Sequence, residues 1–462
     1  MKMVKSLLLG SAAGLVALTG AQAADLPVKA KPVEYVRICS AYGAGFYYIP
    51  GTDVCLRVGG YSFTEFGWNG RNAAALIYSG TIGADMILNR DDNRNTFRVK
   101  GTFIMDARWQ SPLGTARTYL AIGADYISPA GGATTTAPPP TVYMERAFIQ
   151  VAGFTVGYVE TFFNPGGWWH TYGLSASLWN WNPAVAYTAQ FGNGVSATLS
   201  IEDAQGHRTA LISSIYTNSA ALTNAYGGQT WPDVIANVRV DQAWGFVQIA
   251  GVVHQLRLNQ AQFNLTGFGD RVGFAASFGA DIKLGMLAPG DSIFFQAAVA
   301  RGAVEYTGLS ASPLTAALAI GLKTGISAAL ATGPVSQIYD AYARPGVATS
   351  MLLSTAWSVG AMARHYFQPN LWAGIGAGYN RYLPGGHDTL FINESPVLRI
   401  TQVFGKILWN PIRNLDVGLD LLYSRVQTGN CPGNLIVALE AVQSCNRAAD
   451  IFGGWVRIRQ NF

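Results

Sequence analysis

Charged side chains occupy alternate positions through residues 95–127. They are the residues of this sequence whose types and spacing most directly indicate a function. They are Arg98, Lys100, Asp106 and Arg108 in the first half, and Arg117 and Asp125 in the second. Because side chains in a strand point alternately to opposite faces, this spacing places fixed charges of both signs on one face of a hairpin. Such a face can attract ions and hydrated solutes, or its charges can pair with one another and only stabilise the sheet.

Motifs for catalysis are missing from the sequence. It contains no H-E-x-x-H, no G-x-S-x-G and no G-x-x-x-x-G-K-[ST], the patterns of zinc proteases, serine hydrolases and P-loop nucleotide hydrolases. The five histidines are scattered at positions 170, 207, 254, 365 and 387. We therefore predict that the protein is not an enzyme and uses no cofactor or metal ion. A hydrolase that assembles Ser and His from different strands is the alternative.

The N-terminus has the layout of a secretory signal peptide. Two lysines within the first five residues precede an apolar run, residues 7–18, and the A-x-A tripeptide Ala21–Ala23. We predict that residues 1–23 are removed and that residues 24–462 form one domain. Removal takes two of the 31 basic residues and none of the 26 acidic ones, which lowers the formal net charge from +5 to +3. That charge is too slight to indicate a nucleic-acid partner.

The composition favours strands over helices as the membrane-crossing element. Charged residues make up 12% of the chain, about half their usual share in soluble proteins. Yet only residues 313–333 approach the roughly 20 apolar residues of a membrane helix. That stretch contains Lys323 and several glycines, so we assign it to a folded or helical part of a long loop. Low charge without membrane helices predicts membrane strands, in which only every second residue needs to be apolar.

Alternating stretches separated by turn residues predict sixteen strands. The first begins near Leu56, the hairpin of residues 95–127 turns at Ser111–Gly114, and the last strand runs from about 449 to 462. The remaining predicted strands are 142–151, 154–160, 182–191, 195–203, 233–241, 246–256, 271–284, 292–302, 352–367, 371–382, 398–409 and 414–426. Short turns alternate with long connections, and this layout with an even strand count is typical of a transmembrane antiparallel β-barrel. Sixteen strands leave an aqueous channel.

In such a barrel wall, the free-energy cost of exposing charged side chains to lipid decides which face of each strand points to the lipid and which to the lumen. A Lys or Arg that faces lipid at the midplane costs roughly 2–4 kcal/mol, so the charged parity faces the lumen. In the last strand, Val456, Ile458 and Phe462 share one face, while Arg457 and Arg459 share the other. The predicted lumen charges are Arg57, Glu65, Asp106, Arg108, Arg117, Asp125, Arg239, Asp241, Arg457 and Arg459. A soluble sandwich also alternates, so a secreted β-sheet adhesin is the structural alternative.

Four cysteines, Cys39, Cys55, Cys431 and Cys445, fit an exported protein. They allow three connectivities, and close spacing favours Cys39–Cys55 and Cys431–Cys445. Each bond would close a loop of about 15 residues, worth roughly 3 kcal/mol in the chain-entropy model. The predicted topology places the two pairs at opposite ends of the barrel. Bonds between the pairs are therefore excluded, and only Cys39–Cys55 and Cys431–Cys445 remain possible. A zinc site is the alternative, although neither pair has C-x-x-C spacing or a nearby His.

Three stretches carry a resemblance to a known family. They are residues 55–61 (CLRVGGY), 145–154 (ERAFIQVAGF) and 231–245 (WPDVIANVRVDQAWG). Together with the Ala24–Pro27 start, they resemble the general-diffusion outer-membrane porins of alphaproteobacteria. The resemblance runs from the mature N-terminus to Phe462. The chain departs from the family pattern at Gln460, which interrupts the apolar face of the last strand, and at the apolar residues 313–333.

The resemblance implies a homotrimer among the lipids of the bacterial outer membrane, through which small hydrophilic solutes and ions diffuse passively. It also implies that the third external loop folds inward and narrows the channel. By position that loop is residues 161–180, with an ordinary surface loop as the alternative. We expect Arg98, Lys100 and Arg146 on the basic side of the constriction and Glu160 as the acid across from them. A structural salt bridge is the alternative for each residue, and a substrate-specific channel is the alternative function.

Overall fold

The structure, a computed structural model, describes most of the chain in separate stretches. These are residues 37–69, 95–128, 139–166, 180–209, 211–213, 225–261, 266–309, 338–344, 350–386, 397–428 and 448–462. The predicted signal segment, the apolar stretch 313–333 and the cysteines Cys431 and Cys445 lie outside the described residues. Among the residues described, no helix is both long enough and apolar enough to span a membrane.

Sixteen antiparallel strands form a closed barrel, as predicted. In chain order they are β1 (Cys55–Asn69), β2 (Asn95–Ser111), β3 (Gly114–Ile127), β4 (Thr141–Val151), β5 (Phe154–Glu160), β6 (Trp181–Gly192), β7 (Val195–Glu202), β8 (Asp233–Gln242), β9 (Gly245–Leu256), β10 (Arg271–Lys283), β11 (Ser292–Arg301), β12 (Thr355–Gln368), β13 (Leu371–Leu383), β14 (Leu398–Trp409), β15 (Leu415–Thr428) and β16 (Ala448–Asn461). Each strand pairs with the next one along the chain, and β1 also pairs with β16. The predicted strand bounds agree with the observed ones to within three residues.

The seam between β1 and β16 closes the barrel. Its register places Glu65 opposite Arg457, and the two side chains form an ion pair. Past the last ladder pair, the Phe462 N–H donates to the Gly60 carbonyl at 3.0 Å, and the Gly60 N–H donates to the Phe462 carbonyl at 3.1 Å. The C-terminal residue is therefore part of the hydrogen-bonded ladder.

The two faces of the wall differ in polarity as the alternation requires. On the outward face of β16, Val456, Ile458 and Phe462 are 37%, 52% and 69% exposed. On the inward face, the side chains of Glu65 and Asp106 are buried among basic partners. Exposed apolar side chains recur around the whole barrel. A surface this extensively apolar is unfavourable in water and stable in lipid, so the barrel spans a membrane.

Short turns lie at one end of the barrel and long connections at the other. The turns Ala152-Gly153 and Asn193-Gly194 have positive φ at both central residues, 51° and 84° in the first and 49° and 74° in the second. This is the geometry of type I′ turns, whose twist matches that of the paired strands. The short end is therefore built from tight hairpins.

At the long end, two connections form a smaller sheet. Leu211–Ser213 pairs in parallel with Ala341–Arg344, which pairs antiparallel with Ser350–Leu353. A buried apolar cluster joins this sheet to the end of β9: Leu211, Ala225, Leu256, Leu258, Phe268, Ala341, Ala343 and Met351. The connections that follow β7, β9 and β11 thus pack together into one cap.

The segment before β1 is held at the short end by a disulfide. Cys39 is bonded to Cys55, as predicted. The two-residue strand Tyr47–Tyr48 pairs with the start of β1. Phe46 is 2% exposed and packs with both cysteines. In the described chain the helical elements are single 3₁₀ turns, at Ser40–Tyr42, Ala204–His207 and Val304–Thr307.

Substituting Gly60 should obstruct the seam. An added Cβ would lie 2.3 Å from the Thr102 carbonyl oxygen and 2.7 Å from Phe462 Cζ, and overpacking of this kind costs roughly 1–3 kcal/mol. We expect Gly60→Ala to lower both the yield of folded barrel in detergent and its unfolding temperature, measured by heat-dependent gel migration and circular dichroism. Gly101→Ala on β2 is the control, because nothing lies within 4 Å of its added Cβ. Equal yields for the two variants would contradict the seam geometry.

Candidate functional site

The inward faces of β16 and β1–β4 form a surface that we call the charged wall. It has eight basic and four acidic side chains: Arg57, Arg98, Lys100, Arg108, Arg117, Arg146, Arg457 and Arg459, and Glu65, Asp106, Asp125 and Glu145. The alternation of strand residues accounts for nearly all of them. Basic side chains outnumber acids two to one, so this side of the interior is positive.

Asp106 lies among three arginines near the short end of the wall. Its buried carboxylate accepts from Arg108 Nε at 3.0 Å and from Arg117 Nε at 2.9 Å, while Arg57 NH2 lies 3.7 Å away. Arg108 and Arg117 each donate a second bond, from NH2, at 2.7 and 3.0 Å. Two-point bonding of this kind fixes the guanidinium planes. One carboxylate cannot neutralise three arginines, which leaves a local positive excess.

Two further acids order the arginines nearer the long end. Glu65 pairs with Arg457 across the seam, and its Oε2 lies 3.9 Å from Arg98 NH1. Arg98 also donates from Nε to Asp125 Oδ1 at 2.9 Å. Glu65 therefore bridges a base on the last strand to a base on the second, and barrel closure itself assembles this part of the wall.

Aromatic rings support several of these cations. The guanidinium carbons of Arg98 and Arg457 lie 5.5 and 4.6 Å from the centre of the Phe63 ring, and that of Arg459 lies 4.1 Å from the centre of the Tyr61 ring. Each such contact is worth about 0.5–1 kcal/mol where water has access. They hold the charged ends close to the wall.

A β-bulge in β4 turns one acid inward that alternation did not predict. The β3–β4 register shifts after Ala121, so Glu145 has no ladder partner. Its carboxylate lies 3.6 Å from Lys100 Nζ and accepts from the Tyr61 hydroxyl. Regular alternation would place Glu145 and Arg146 on opposite faces, whereas a bulge places both on one face. Two adjacent charges in an otherwise apolar strand were the signal that could have revealed the bulge.

Residues 161–166, which follow β5, fold inward against the opposite side of the barrel. Phe163 is fully buried and packs with Ile235, Ala250, Val252, Ala275, Ala300, Ala303 and Tyr306. Its ring meets the edge of the Tyr306 ring at a centroid distance of 4.8 Å. Burying a Phe side chain contributes about 1.5–3 kcal/mol, so this residue anchors the segment. The predicted inward fold of the third loop is confirmed for these residues, and 167–179 lie outside the described residues.

Side chains of β8 and β10 bind the backbone of this inward segment. The donors are Asn237 Nδ2, 2.7 Å from the Phe162 carbonyl, Ser277 Oγ, 3.0 Å from the Phe163 carbonyl, and Arg239 NH1, 2.7 Å from the Pro165 carbonyl. Pro165 also lies against Gly279, where an added Cβ would be 2.3 Å from Pro165 Cγ. A residue without a side chain is therefore required at position 279. The segment reaches past β6 and β7 to these strands, so it crosses part of the interior.

Glu160 lies where β5 ends and the inward segment begins. Its Oε1 accepts from Asn164 Nδ2 at 2.8 Å, and its Oε2 lies 3.9 Å from Arg146 NH2. Asn164 Oδ1 accepts in turn from Gln296 Nε2 on β11 at 3.2 Å. The structure thus places Glu160 beside Arg146, between wall and segment, and outside ion-pair contact with the other two predicted basic residues.

The predicted lumen pair on β8, Arg239 and Asp241, serves the inward segment. Arg239 donates from Nε and NH2 to Asp241 at 2.8 and 2.9 Å, and its guanidinium carbon lies 3.8 Å from the centre of the Phe246 ring. Its remaining nitrogen binds the Pro165 carbonyl. This arginine is engaged on all sides and acts as a clamp for the segment.

A buried polar cluster at the long end ties the cap to the barrel. Asp233, the first residue of β8, accepts from the Tyr306 hydroxyl at 2.6 Å, and its Oδ1 lies 2.8 Å from His254 Nδ1. In the cap, Asp340 accepts from the Val304 N–H at 2.7 Å. Burial raises the pKa of Asp340. Among the described residues, no group of three or more His, Cys, Asp or Glu side chains could hold a metal ion.

Comparisons with known proteins agree with this architecture. Residues 25–446 match the family model described as "Porin subfamily". Porin Omp2b of Brucella melitensis biotype 1 is 35% identical over 266 residues, which are 54% of this chain and 65% of that protein. Porin Omp2b of Brucella abortus (strain 2308) is 35% identical over 268 residues, with the same shares. The match therefore spans slightly less than two thirds of the length of these relatives.

The fold also occurs in a solved structure of an outer-membrane channel. The outer membrane channel DcaP of Acinetobacter baumannii superposes with a TM-score of 0.60 at 12% sequence identity, covering 90% of this chain and 99% of that one. Because the sequence identity is only 12%, this similarity shows that the two proteins share the barrel fold and indicates nothing about a shared function. The family resemblance seen in the sequence is confirmed by the family model.

Truncating Phe163 should release the inward segment. Phe→Ala changes in a packed core cost roughly 3–5 kcal/mol, so we expect hydrogen exchange of the amides in residues 161–166 to accelerate about 100-fold or more. Mass spectrometry of peptides from the detergent-solubilised protein measures this. Phe278→Ala, at an outward position that is 42% exposed, is the matched control and should leave exchange in the segment unchanged. Slow exchange in both variants would mean that Phe163 is not the anchor.

Proposed function

The chain belongs to the porin subfamily, and from this premise we propose that it forms a passive, water-filled channel for small hydrophilic solutes and ions across the bacterial outer membrane. One observation carries the proposal. A closed sixteen-strand barrel with an apolar outward face has a charged wall inside it and a connection folded against the opposite side. Such an interior can hold water, because charged groups line it where a soluble domain would have an apolar core.

Solutes pass between the charged wall and the inward segment. Residues 161–166 cover Ser277 and Gly279 on the far side, which narrows the cross-section of the channel from that side. The side chains of Arg57 and Arg146 on the charged wall are 47% and 38% exposed, so that side is hydrated. A solute that keeps part of its water shell meets polar groups along the whole path, and a large solute is excluded by size.

We assign Arg98, Lys100, Arg146 and Glu160 to the narrowest part of the channel, its constriction. Arg146 and Glu160 border the point where the inward segment leaves the wall, which supports their place at the edge of the constriction. Arg98 and Lys100 lie on β2, which is separated from β4 by β3. Counting Glu160 with the charged wall, eight basic residues face five acids. These side chains set the electrostatic potential that a permeating ion experiences.

The protein assembles as a homotrimer in this proposal, and uneven strand lengths support an interface between subunits. Strands β5 and β7 have seven and eight residues. At about 3.4 Å per residue and a tilt near 40°, seven residues rise roughly 18 Å, less than the ~25 Å apolar band of such barrels. Where the barrel wall is this low, lipid would contact polar backbone beyond the ends of the short strands. A neighbouring subunit at β4–β7 would cover it.

Residues 1–23 are, in the same proposal, removed during export, which leaves residues 24–462 as the mature protein. The start of the family match at residue 25 supports this boundary. The chain needs no catalytic group or cofactor for diffusion, because the gradient of the solute supplies the driving force.

Conductance and ion selectivity test the channel together. Purified protein in a planar bilayer should give stepwise, ohmic conductance. In Arg98→Gln/Lys100→Gln, the carboxylates of Asp125 and Glu145 lose partners, so the reversal potential in a KCl gradient should move toward cation preference. We expect the permeability ratio to change by about fivefold or more, because each unit charge a few ångström from an ion in water contributes about 1 kcal/mol.

The control for that variant is Arg399→Gln on β14. Arg399 shares the parity of the outward-facing, exposed Val403, so its removal should leave the reversal potential unchanged. An equal shift in the control would mean that the charged wall does not face the permeation path. A wild-type protein without conductance steps would refute the channel, and saturable flux of one solute with little general conductance would indicate a substrate-specific channel instead.

Bulky substitutions locate the subunit interface. Val156 on β5 and Val185 on β6 are outward and 44% and 48% exposed. Val156→Trp and Val185→Trp should convert trimers to monomers, because a close-packed interface has no room for the larger ring, whereas lipid has. Val403→Trp on β14, at a position 40% exposed on the far side of the barrel, should leave the trimer intact. Light scattering in detergent distinguishes these states, and trimers in all three variants would place the interface elsewhere.

A further inference from the structure

Four arginines lie on the outward face of the barrel within five adjacent strands, β11–β15. They are Arg301, Arg381, Arg399 and Arg425, and we call them the outward arginine belt. Each shares the parity of an exposed apolar residue on its own strand: Val299, Ile375, Val403 and Leu421, which are 54%, 63%, 40% and 38% exposed. All four arginines lie at the long-connection ends of their strands. By contrast, the outward faces of β1–β3, β6 and β7 carry no charged residue.

The belt gathers like charges that repel one another. Arg381 on β13 lies directly opposite Arg399 on β14, and side chains in such positions have Cβ atoms about 4.5–5.5 Å apart. Arg425 on β15 lies opposite Thr401, one step diagonally from Arg399. Within the described part of the chain, Arg381 and Arg399 form no ion pair. Arg425 NH1 lies 3.6 Å from Asp450 Oδ1, so the belt has a positive excess among the charged groups that the structure describes.

Aromatic side chains around the belt mark its depth in the membrane. Trp357 lies opposite Arg381, and its ring centre is 5.2 Å from that of Tyr379. The Tyr423 hydroxyl donates to Asp450 Oδ1 at 2.7 Å. Aromatic girdles of this kind occur where the apolar band meets the headgroups. The arginines therefore lie at headgroup level, with the apolar side chains of the same strands extending below them.

We propose that the outward arginine belt binds the phosphate groups of an anionic glycolipid in the outer leaflet. The guanidinium group presents paired N–H donors that match phosphate oxygens two at a time. A phosphate between Arg381 and Arg399 turns their mutual repulsion into two attractions. Below it, the exposed apolar residues of β13–β15 provide a surface for acyl chains. A lipid satisfies both the charge and the apolar surface, which inorganic phosphate does not.

A second subunit is a poorer occupant of this surface. The belt is centred on β13 and β14, eight strands from the low wall at β4–β7, so it faces away from the proposed trimer contact. This inference rests on the membrane placement of the barrel and not on passage of solutes. A loss of lipid binding with normal conductance therefore separates it from the channel proposal.

Lipid titration of the purified protein in detergent micelles tests the belt. The probe is fluorescently labelled, bisphosphorylated lipid A, and its binding is followed by thermophoresis. Each basic residue near an anionic lipid surface contributes about fivefold in affinity, so Arg381→Gln/Arg399→Gln/Arg425→Gln should weaken binding ~100-fold. The same three residues changed to Lys should lose less, because the charge stays while the two-point contact is lost.

The matched control removes three arginines from the lumen: Arg57→Gln/Arg117→Gln/Arg459→Gln. It should bind lipid A like the wild type, and heat-dependent gel migration checks that every variant is folded. Unchanged affinity in the outward triple variant, or an equal loss in the lumen variant, would overturn the proposal. If inorganic phosphate alone displaces the lipid stoichiometrically at matched concentration, the site recognises free phosphate and the lipid assignment is wrong.

Discussion

Closure of the barrel by β1 and β16 is the constraint on which the rest of this structure depends. In lipid, an unpaired backbone N–H or C=O costs several kcal/mol, so neither edge strand can remain open. The bonds between Gly60 and Phe462 and the ion pair between Glu65 and Arg457 set the register of this seam. Register in turn sets the faces, because a shift of one residue would exchange every inward and outward side chain.

Once the inward and outward faces are fixed, the interior of the barrel has two different surfaces. One is hydrated, and the other is covered by protein backbone. The charged wall keeps solvent, because its bases exceed its acids and several remain exposed. The surface of β8–β11 binds protein backbone, because Ser277 offers a short hydroxyl, Gly279 leaves space for Pro165, and Arg239 is long enough to reach the Pro165 carbonyl. Among the residues that the structure describes, one side of the interior therefore stays open while the other is filled, which is what a size-limited, hydrated passage requires.

Patterns in the sequence predicted those features of the fold that depend only on residues close together in the chain. Period-two alternation and turn residues identified all sixteen strands, and close spacing identified the Cys39–Cys55 bond. The inward position of Glu145 was missed, because a bulge depends on the register between two strands. The contact of Asp233 with His254 and Tyr306 was missed because packing brings together segments far apart in sequence. Glu160 was expected across the lumen, and its place beside Arg146 depends on where the chain turns inward.

Thiol accessibility in the open channel tests the two-surface account most directly. Arg117→Cys places a thiol on the charged wall, at a side chain that is 25% exposed, and Ser277→Cys places one beneath the inward segment, at a residue that is 7% exposed. A charged, membrane-impermeant thiol reagent added during planar-bilayer recording should reduce the single-channel current of Arg117→Cys and leave that of Ser277→Cys unchanged. Block of the Ser277 variant with none in the Arg117 variant would contradict the account, since the path would then run along the surface assigned to the segment.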